Sequence, residues 1–285
     1  MIFELSITVN LKMSEDKFYT KPDTVTVLLQ QVQYSNYDLI VEPSAGCGNI
    51  SIRIQDDLIK SNLPIPIIAY DIQPEHQQIQ TFDFLNQISP EMLQSKNCLI
   101  VGNPPFGAQA SLAIKFFNRA ASYTSVKTIA FIVPKSFRKP SIQDRLANTF
   151  LLGSELDIQE NSFTLNNQDH SVPCIIQVWH RSRIIRLPFP KEKENQLYRF
   201  TEPQLNVIAI RRVGGTAGRS QNVIDQIPSP ESHYFITSDT IPKEYIVEHL
   251  NKIQWKHNNT VGPKSISKQE FITELNQITK SYLTR

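Results

Sequence analysis

Along the first two thirds of the chain, short unbroken apolar runs alternate with stretches in which apolar residues recur every three or four positions. The first pattern reads as a strand buried on both faces, and the second as an amphipathic helix. Residues 39–41 predict a strand, and Ile50, Ile54 and Leu58 predict the helix that follows. Residues 65–70 and 98–102 predict two further strands. Residues 111–121 predict a helix with Leu112, Ile114, Phe116 and Phe117 turned inwards, and residues 128–133 another buried strand. A shorter helix is expected over residues 138–150, then strands over 155–163 and 172–179. Strands alternating with helices predict an α/β fold built on a largely parallel sheet.

In open α/β sheets, ligands bind outside the carboxyl ends of the strands, so the residues at those ends are the first place to look for chemistry. Strand 98–102 runs into Asn103-Pro104-Pro105-Phe106-Gly107. Two prolines fix φ and carry no N–H, which makes the corner stiff and rich in acceptors. The Asn103 side-chain oxygen and the Pro104 carbonyl suit the two hydrogens of an exocyclic amine on a planar ring, freeing its lone pair to attack an electrophile. Phe106 suits stacking on the ring. A Pro-Pro turn after a core strand is the plain alternative. Strand 39–41 runs into Glu42-Pro43-Ser44-Ala45-Gly46-Cys47-Gly48-Asn49-Ile50, where two glycines let the backbone approach a ligand closely. The third glycine of the dinucleotide fingerprint is missing, which favours a cofactor without phosphates. Asp71, at the end of strand 65–70, is placed to hold ribose hydroxyls. Asp83, within Thr81-Phe82-Asp83-Phe84-Leu85, is suited to an adenine amino group.

Taken in order, these motifs resemble the class I S-adenosylmethionine-dependent methyltransferases of the amino-methylating type. Phe18-Tyr19-Thr20 resembles that family's FYTP element, with Lys21 intervening before Pro22. Glu42 to Gly48 resembles its E/D-P-x-x-G-x-G loop, with Ile50 in place of the usual Phe. Residues 103–106 resemble its catalytic motif. The resemblance covers about residues 14 to 181 and implies a Rossmann-like seven-stranded sheet with helices on both faces, closed by an antiparallel pair from 155–163 and 172–179. It implies S-adenosyl-L-methionine as cofactor, held by Phe18, Tyr19, Thr20, Glu42, Pro43, Ala45, Gly46, Gly48, Asp71, Ile72, Asp83, Phe84 and Asn103. Asn103, Pro104, Pro105 and Phe106 are implied as catalytic. Thr20 is expected to cap the helix that Pro22 begins.

At 285 residues and 40% hydrophobic content, the chain can bury a large core and carry an appendage. Cys47, Cys98 and Cys174 lie far apart without metal-type spacing and read as small buried apolar residues in a reducing, intracellular setting. No metal site is predicted. No signal-peptide pattern and no apolar run of about 18 residues occurs, so no membrane span is expected. The predicted organisation is an N-terminal extension at 1–13, with Met13 an alternative start after an added strand, a catalytic domain at 14–182, and a small α+β region at 183–285. Pro188, Pro190 and Lys191-Glu192-Lys193-Glu194 mark a linker.

Charge separates the two parts. Residues 1–180 hold 13 basic and 17 acidic side chains, and residues 181–285 hold 16 and 10. In the basic part, Arg181, Arg183 and Arg186 come first. Arg211, Arg212 and Arg219 then flank a flexible glycine loop suited to tracking phosphates. Lys135 and Phe137 are candidates for the border of the substrate pocket, and His170 reads as a loop residue. A strand at 205–210, another at 232–236 with His233 and Tyr234 facing a target or packing, a helix from Pro242 and a capping box at Ser267 and Glu270 complete the region. The expected partner is nucleic acid, with DNA slightly favoured over RNA and a protein partner or second copy left open. The expected reaction is methylation of adenine N6. Guanine N2 in RNA, a protein glutamine amide, and a non-catalytic scaffold stand as alternatives.

Overall fold

The computed structural model describes residues 18–165, 168–256, 259–260 and 262–284. The predicted extension at 1–13, Met13 included, lies outside the described residues. The chain divides into two compact units, Met1–Leu187 and Pro188–Arg285.

In the first unit the order is β1 (Tyr19–Thr20), α1 (Pro22–Leu29), β2 (Leu39–Glu42), α2 (Asn49–Lys60), β3 (Ile67–Asp71), β4 (Gln80–Thr81), α3 (Pro90–Gln94), β5 (Cys98–Gly102) and α4 (Ser111–Ser122). There follow β6 (Val126–Pro134), α5 (Pro140–Gln143), β7 (Phe150–Asp157), β8 (Phe163–Leu165), β9 (Gln168–His170) and β10 (Cys174–Arg181). Seven strands form one sheet in the order β4-β3-β2-β5-β6-β10-β7. Pairing is parallel from β4 to β6, and β10 runs antiparallel to both β6 and β7. Alternate residues of each central strand enter opposite cores: Leu39 and Val41 of β2 join one cluster while Ile40 joins the other. Burial on both faces is what produces the unbroken apolar runs. The chain leaves β2 for β3 and β4, then crosses back to β5, so β2 and β5 flank the switch point where such sheets bind ligands.

Three expectations fail locally. The expected helix over 138–150 shrinks to α5, because Lys139, preceding Pro140, is extended (φ −69°, ψ 131°), as a residue before proline prefers. The expected strand over 155–163 divides: Glu155 belongs to β7, whereas Phe163 opens β8 in a separate sheet ordered β1-β8-β9. His170 is no loop residue. It ends β9 and stacks on Phe18, with ring centroids 4.9 Å apart.

Arg181 and Arg186 are inward ties rather than nucleic-acid contacts. The Arg181 guanidinium donates to the carbonyls of Val126, Ala121 and Tyr123. Arg186 donates to those of Phe150, Gln143 and Leu146. Orphan carbonyls at helix and strand ends need donors, and a planar five-donor group serves several at once.

The second unit contains β11 (Arg199–Phe200), β12 (Ile208–Arg211), β13 (Ser220–Asn222), β14 (His233–Thr237), α6 (Lys243–Lys252) and α7 (Lys268–Leu283). Its antiparallel sheet runs β11-β14-β12-β13. Ile208, Ile210 and Ile236 of that sheet share a core with Ile246 and Leu250 of α6 and Phe271, Leu275 and Ile278 of α7. Ser267 and Glu270 form the capping box expected from their spacing. Tyr234 packs, stacking on Phe271 at 5.7 Å.

The glycine loop is not a free strap. Gly214 N–H donates to Lys264 O, Ala217 N–H to Gly214 O and Gly218 N–H to Arg211 O. Arg211 donates to Val213 O, and Arg212 donates twice to Glu231 O while lying over the Tyr234 ring. Neither guanidinium meets a carboxylate in these contacts, so both charges stay uncompensated by them.

Candidate active site

A cavity of about 670 Å³ opens in the first unit at the carboxyl ends of β2, β3 and β5. Its floor is the turn from β2 into α2, held by Ala45 N–H on Tyr70 O and Gly48 N–H on Ala45 O. Gly46 (φ 54°) and Gly48 (φ 88°) take left-handed conformations that glycine alone adopts without strain. Asp71, ending β3, accepts from Gly46 N–H at 2.7 Å and from Gln73 N–H at 2.8 Å. A carboxylate has about four acceptor sites, so further capacity is left on each oxygen. Asp83 organises the opposite wall, accepting on Oδ1 from the N–H groups of Leu85 and Asn86, and on Oδ2 from Asn86 Nδ2.

Glu42 lies under the turn with 2% of its surface exposed and accepts from Ser51 N–H at 2.8 Å. Burial pushes its carboxyl up to about 8 from an ordinary 4.5. The third wall comes from β1. Phe18, Tyr19 and Thr20 all line the cavity. Tyr19 donates its hydroxyl to Glu75 Oε2 at 2.7 Å, a bond that raises the tyrosine to about 12, and Glu75 N–H returns to Gly46 O.

At the end of β5, Asn103 Nδ2 donates to Thr20 Oγ1 at 3.2 Å. Asn103 Oδ1 is buried and has no hydrogen-bond partner among the described residues. A buried acceptor without a donor costs on the order of 1–3 kcal/mol, so this oxygen is available to accept from a ligand or an ordered water. Thr20 does not cap α1. Lys21 occupies that position, and no side chain caps it. Thr20 is committed to the strand β1, and its hydroxyl faces Asn103 instead. Pro104, Pro105 and Phe106 line the cavity beside it. Gly107 (φ 66°) turns the chain towards α4, and a Cβ there would lie 2.8 Å from Leu112 Cγ.

The structure thus gathers Phe18, Tyr19, Thr20, Glu42, Pro43, Ala45, Gly46, Asp71, Ile72, Asp83, Phe84 and residues 103–106 around one cavity. Gly48 is not in its lining. The residue serves the turn, where a Cβ would press on Ile52 at 3.0 Å. Lys135 is also absent, being paired with Asp157 at 3.3 Å, and Phe137 is fully buried core. Arg211, Arg212 and Arg219 belong to the second unit. Leu112, expected in the core, faces the cavity, and so does Cys47, which is only half buried. Glu75 was not foreseen. With it the cavity has four carboxylates, Glu42, Asp71, Glu75 and Asp83, and among the described residues no lysine, arginine or histidine lines it.

A sequence profile described as the EDM2 methyltransferase-like domain matches residues 33–186. Protein ENHANCED DOWNY MILDEW 2 of Arabidopsis thaliana is 25% identical over 183 residues, 58% of this chain and 14% of its own length. The chain therefore spans about one seventh of that relative. Among solved structures, one described as a modification subunit of a type I restriction enzyme from Vibrio vulnificus aligns with a TM-score of 0.43 and 16% identity. That alignment covers 60% of this chain and 46% of the other. The 23S rRNA methyltransferase ErmE aligns with a TM-score of 0.41 and 13% identity, covering 60% of this chain and 72% of its own. The profile runs across the whole seven-stranded sheet, from before β2 to past β10, and the chain belongs to the EDM2 methyltransferase-like domain family.

Proposed function

We propose that this protein is an S-adenosyl-L-methionine-dependent methyltransferase acting on the exocyclic N6 amine of adenine in nucleic acid, with DNA slightly favoured over RNA. The observation that carries the reading is the buried, unpartnered Asn103 Oδ1 at the end of β5. The cofactor assignment rests on the cavity's charge. Setting aside Glu42, whose raised pKa of about 8 keeps it protonated at neutral pH, three acids, Asp71, Glu75 and Asp83, without a lining cation suit a ligand bearing a sulfonium and an ammonium, and oppose one bearing phosphates. Asp71 would take the ribose hydroxyls on its remaining lone pairs, and Asp83 Oδ2 the adenine amino group. Gly46 would allow the backbone close to the amino-acid end. The bound cofactor supplies a methyl group on a positively charged sulfur, whose departure leaves a neutral thioether.

The chain's own residues prepare the acceptor. Asn103 Oδ1 takes one amine hydrogen and the Pro104 carbonyl the other, which draws the nitrogen lone pair out of conjugation with the ring. Thr20 Oγ1 holds Asn103 Nδ2 so that Oδ1, not the amide nitrogen, meets the amine. Phe106 offers a face for stacking. Since the acceptor nitrogen becomes acidic only once it carries the methyl group, a strong base is not needed in the cavity.

The test is transfer of labelled methyl to duplex DNA, single-stranded DNA, structured RNA and protein, followed by digestion and identification of the modified unit. N6-methyladenine is expected. Label in N2-methylguanine or in glutamine would overturn the acceptor, and no transfer at all would point to a scaffold. Asn103→Ala should lower turnover by about a hundred- to a thousandfold, as loss of a transition-state hydrogen bond does, while cofactor affinity measured by calorimetry stays nearly constant.

A further inference from the structure

The catalytic cavity repels phosphates, so a polynucleotide that offers it a base has to be gripped elsewhere. In the second unit, residues 188–285 hold 13 basic and 10 acidic side chains. A groove of about 460 Å³ lies there, formed by Thr216, Arg219, Asn251, Ile253 and Trp255 beside the backbone of Ala217 and Gly218. No carboxylate lines it among the described residues, the reverse of the catalytic cavity.

Trp255 is half buried, and its indole is seated directly on Gly218 (φ 100°), where any Cβ would collide with the ring. The glycine is thus required for the tryptophan to lie in the groove. The adjoining turn closes with Ala217 N–H on Gly214 O at 3.0 Å and Arg219 N–H on Thr216 O at 3.1 Å, leaving Gly215 and Thr216 exposed at the tip with N–H groups that meet no backbone carbonyl among the described residues. A Cβ added at Gly215 would meet nothing within 4 Å. Two successive free N–H groups at an open turn form an anion-binding concavity. Arg219 is exposed one residue beyond Gly218, and Asn251 fixes the floor by bonding both Ser220 N–H and Ser220 O.

We propose that this groove binds single-stranded nucleic acid, with a base stacked on the Trp255 indole and the neighbouring phosphate held by Arg219 and the Gly215–Thr216 turn. The assignment rests on the nucleic-acid reading of the catalytic site. An aromatic platform beside a cation and free N–H groups is the combination that binds strands without reading their sequence. An acidic peptide would use the cation and leave the indole without a partner.

Fluorescence tests this directly, because the chain holds only two tryptophans and the other, Trp179, is 1% exposed within the first unit. The whole protein is titrated with twelve-nucleotide DNA and RNA strands and with an abasic strand of equal length. Saturable quenching by the base-bearing strands is expected, with RNA and DNA arms deciding between sugars. Trp255→Phe should abolish the signal, and Arg219→Glu, an exposed change that spares the core, should weaken affinity at least tenfold. Equal quenching by the abasic strand or by polyglutamate, an unchanged affinity for Arg219→Glu, or no quenching at all would overturn the groove. Quenching without methylation of adenine in the same strand would keep the groove and remove the acceptor reading, whereas methylation without quenching would do the reverse.

Discussion

Asn103 and Thr20 are 83 residues apart, and their side chains meet in one hydrogen bond, from Asn103 Nδ2 to Thr20 Oγ1, which in the proposed mechanism orients the amide towards the acceptor. The hydroxyl's contribution can be separated from its volume. Thr20→Val removes the acceptor for Asn103 Nδ2 at nearly constant shape and should lower turnover roughly tenfold, the worth of about one hydrogen bond. Thr20→Ser should retain most of the activity. Equal rates for the valine variant and the wild type would remove Thr20 from the mechanism. Glu42 yields a stability prediction. Its folded pKa, about 8, lies above its ordinary 4.5 because the buried site disfavours the charged form. The folded state therefore keeps a proton that the unfolded state releases, so stability is full below about pH 4.5 and falls as pH rises towards 8. The slope is about 1.4 kcal/mol per pH unit at most. Melting temperatures across that window should decline less steeply in Glu42→Gln, and parallel curves would show that Glu42 is not the group responsible.

Elements are held by contacts that their own sequences do not announce. The segment after β10 looks like the start of a basic, nucleic-acid-binding tail, yet Arg186 ties the end of α5 and the start of β7 through three carbonyls. Arg186→Ala should cost about 1.5–3 kcal/mol in denaturant unfolding, the range for hydrogen bonds to a charged group, and leave the salt dependence of oligonucleotide binding unchanged. A flatter salt dependence would return Arg186 to the binding surface. The turn into α4 has a comparable constraint. Gly107→Ala should destabilise the corner, and Leu112→Ala in the same chain should recover part of the loss by vacating the space the Cβ needs. These relations explain why no single helix spans 138–150: Lys139, before Pro140, is extended, and Phe150 already belongs to β7.

At the scale of the whole molecule, charge is divided between a cavity whose lining holds acids but no lysine, arginine or histidine among the described residues and a second unit with a basic excess. Oligonucleotide affinity should fall steeply as salt rises, because each neutralised phosphate releases condensed counterions. Cofactor affinity, decided inside a partly enclosed cavity, should change far less over the same series. Equal slopes would mean that both ligands meet the same exposed field.

The sequence by itself determined the α/β alternation, the central strands and the Asn103 corner, the glycine turn and Asp71. Each depends on a local rule: a strand buried on both faces is apolar throughout, and a left-handed turn or a stiff strand end demands glycine or proline at fixed positions. Only the tertiary structure brought Thr20 to Asn103, carried Glu75 into the cavity beside Tyr19, turned Leu112 from core to lining and spent Arg181 and Arg186 on carbonyls. Hydrogen bonds and burial depend on distances in space, and residues far apart in sequence meet only after the sheet has assembled.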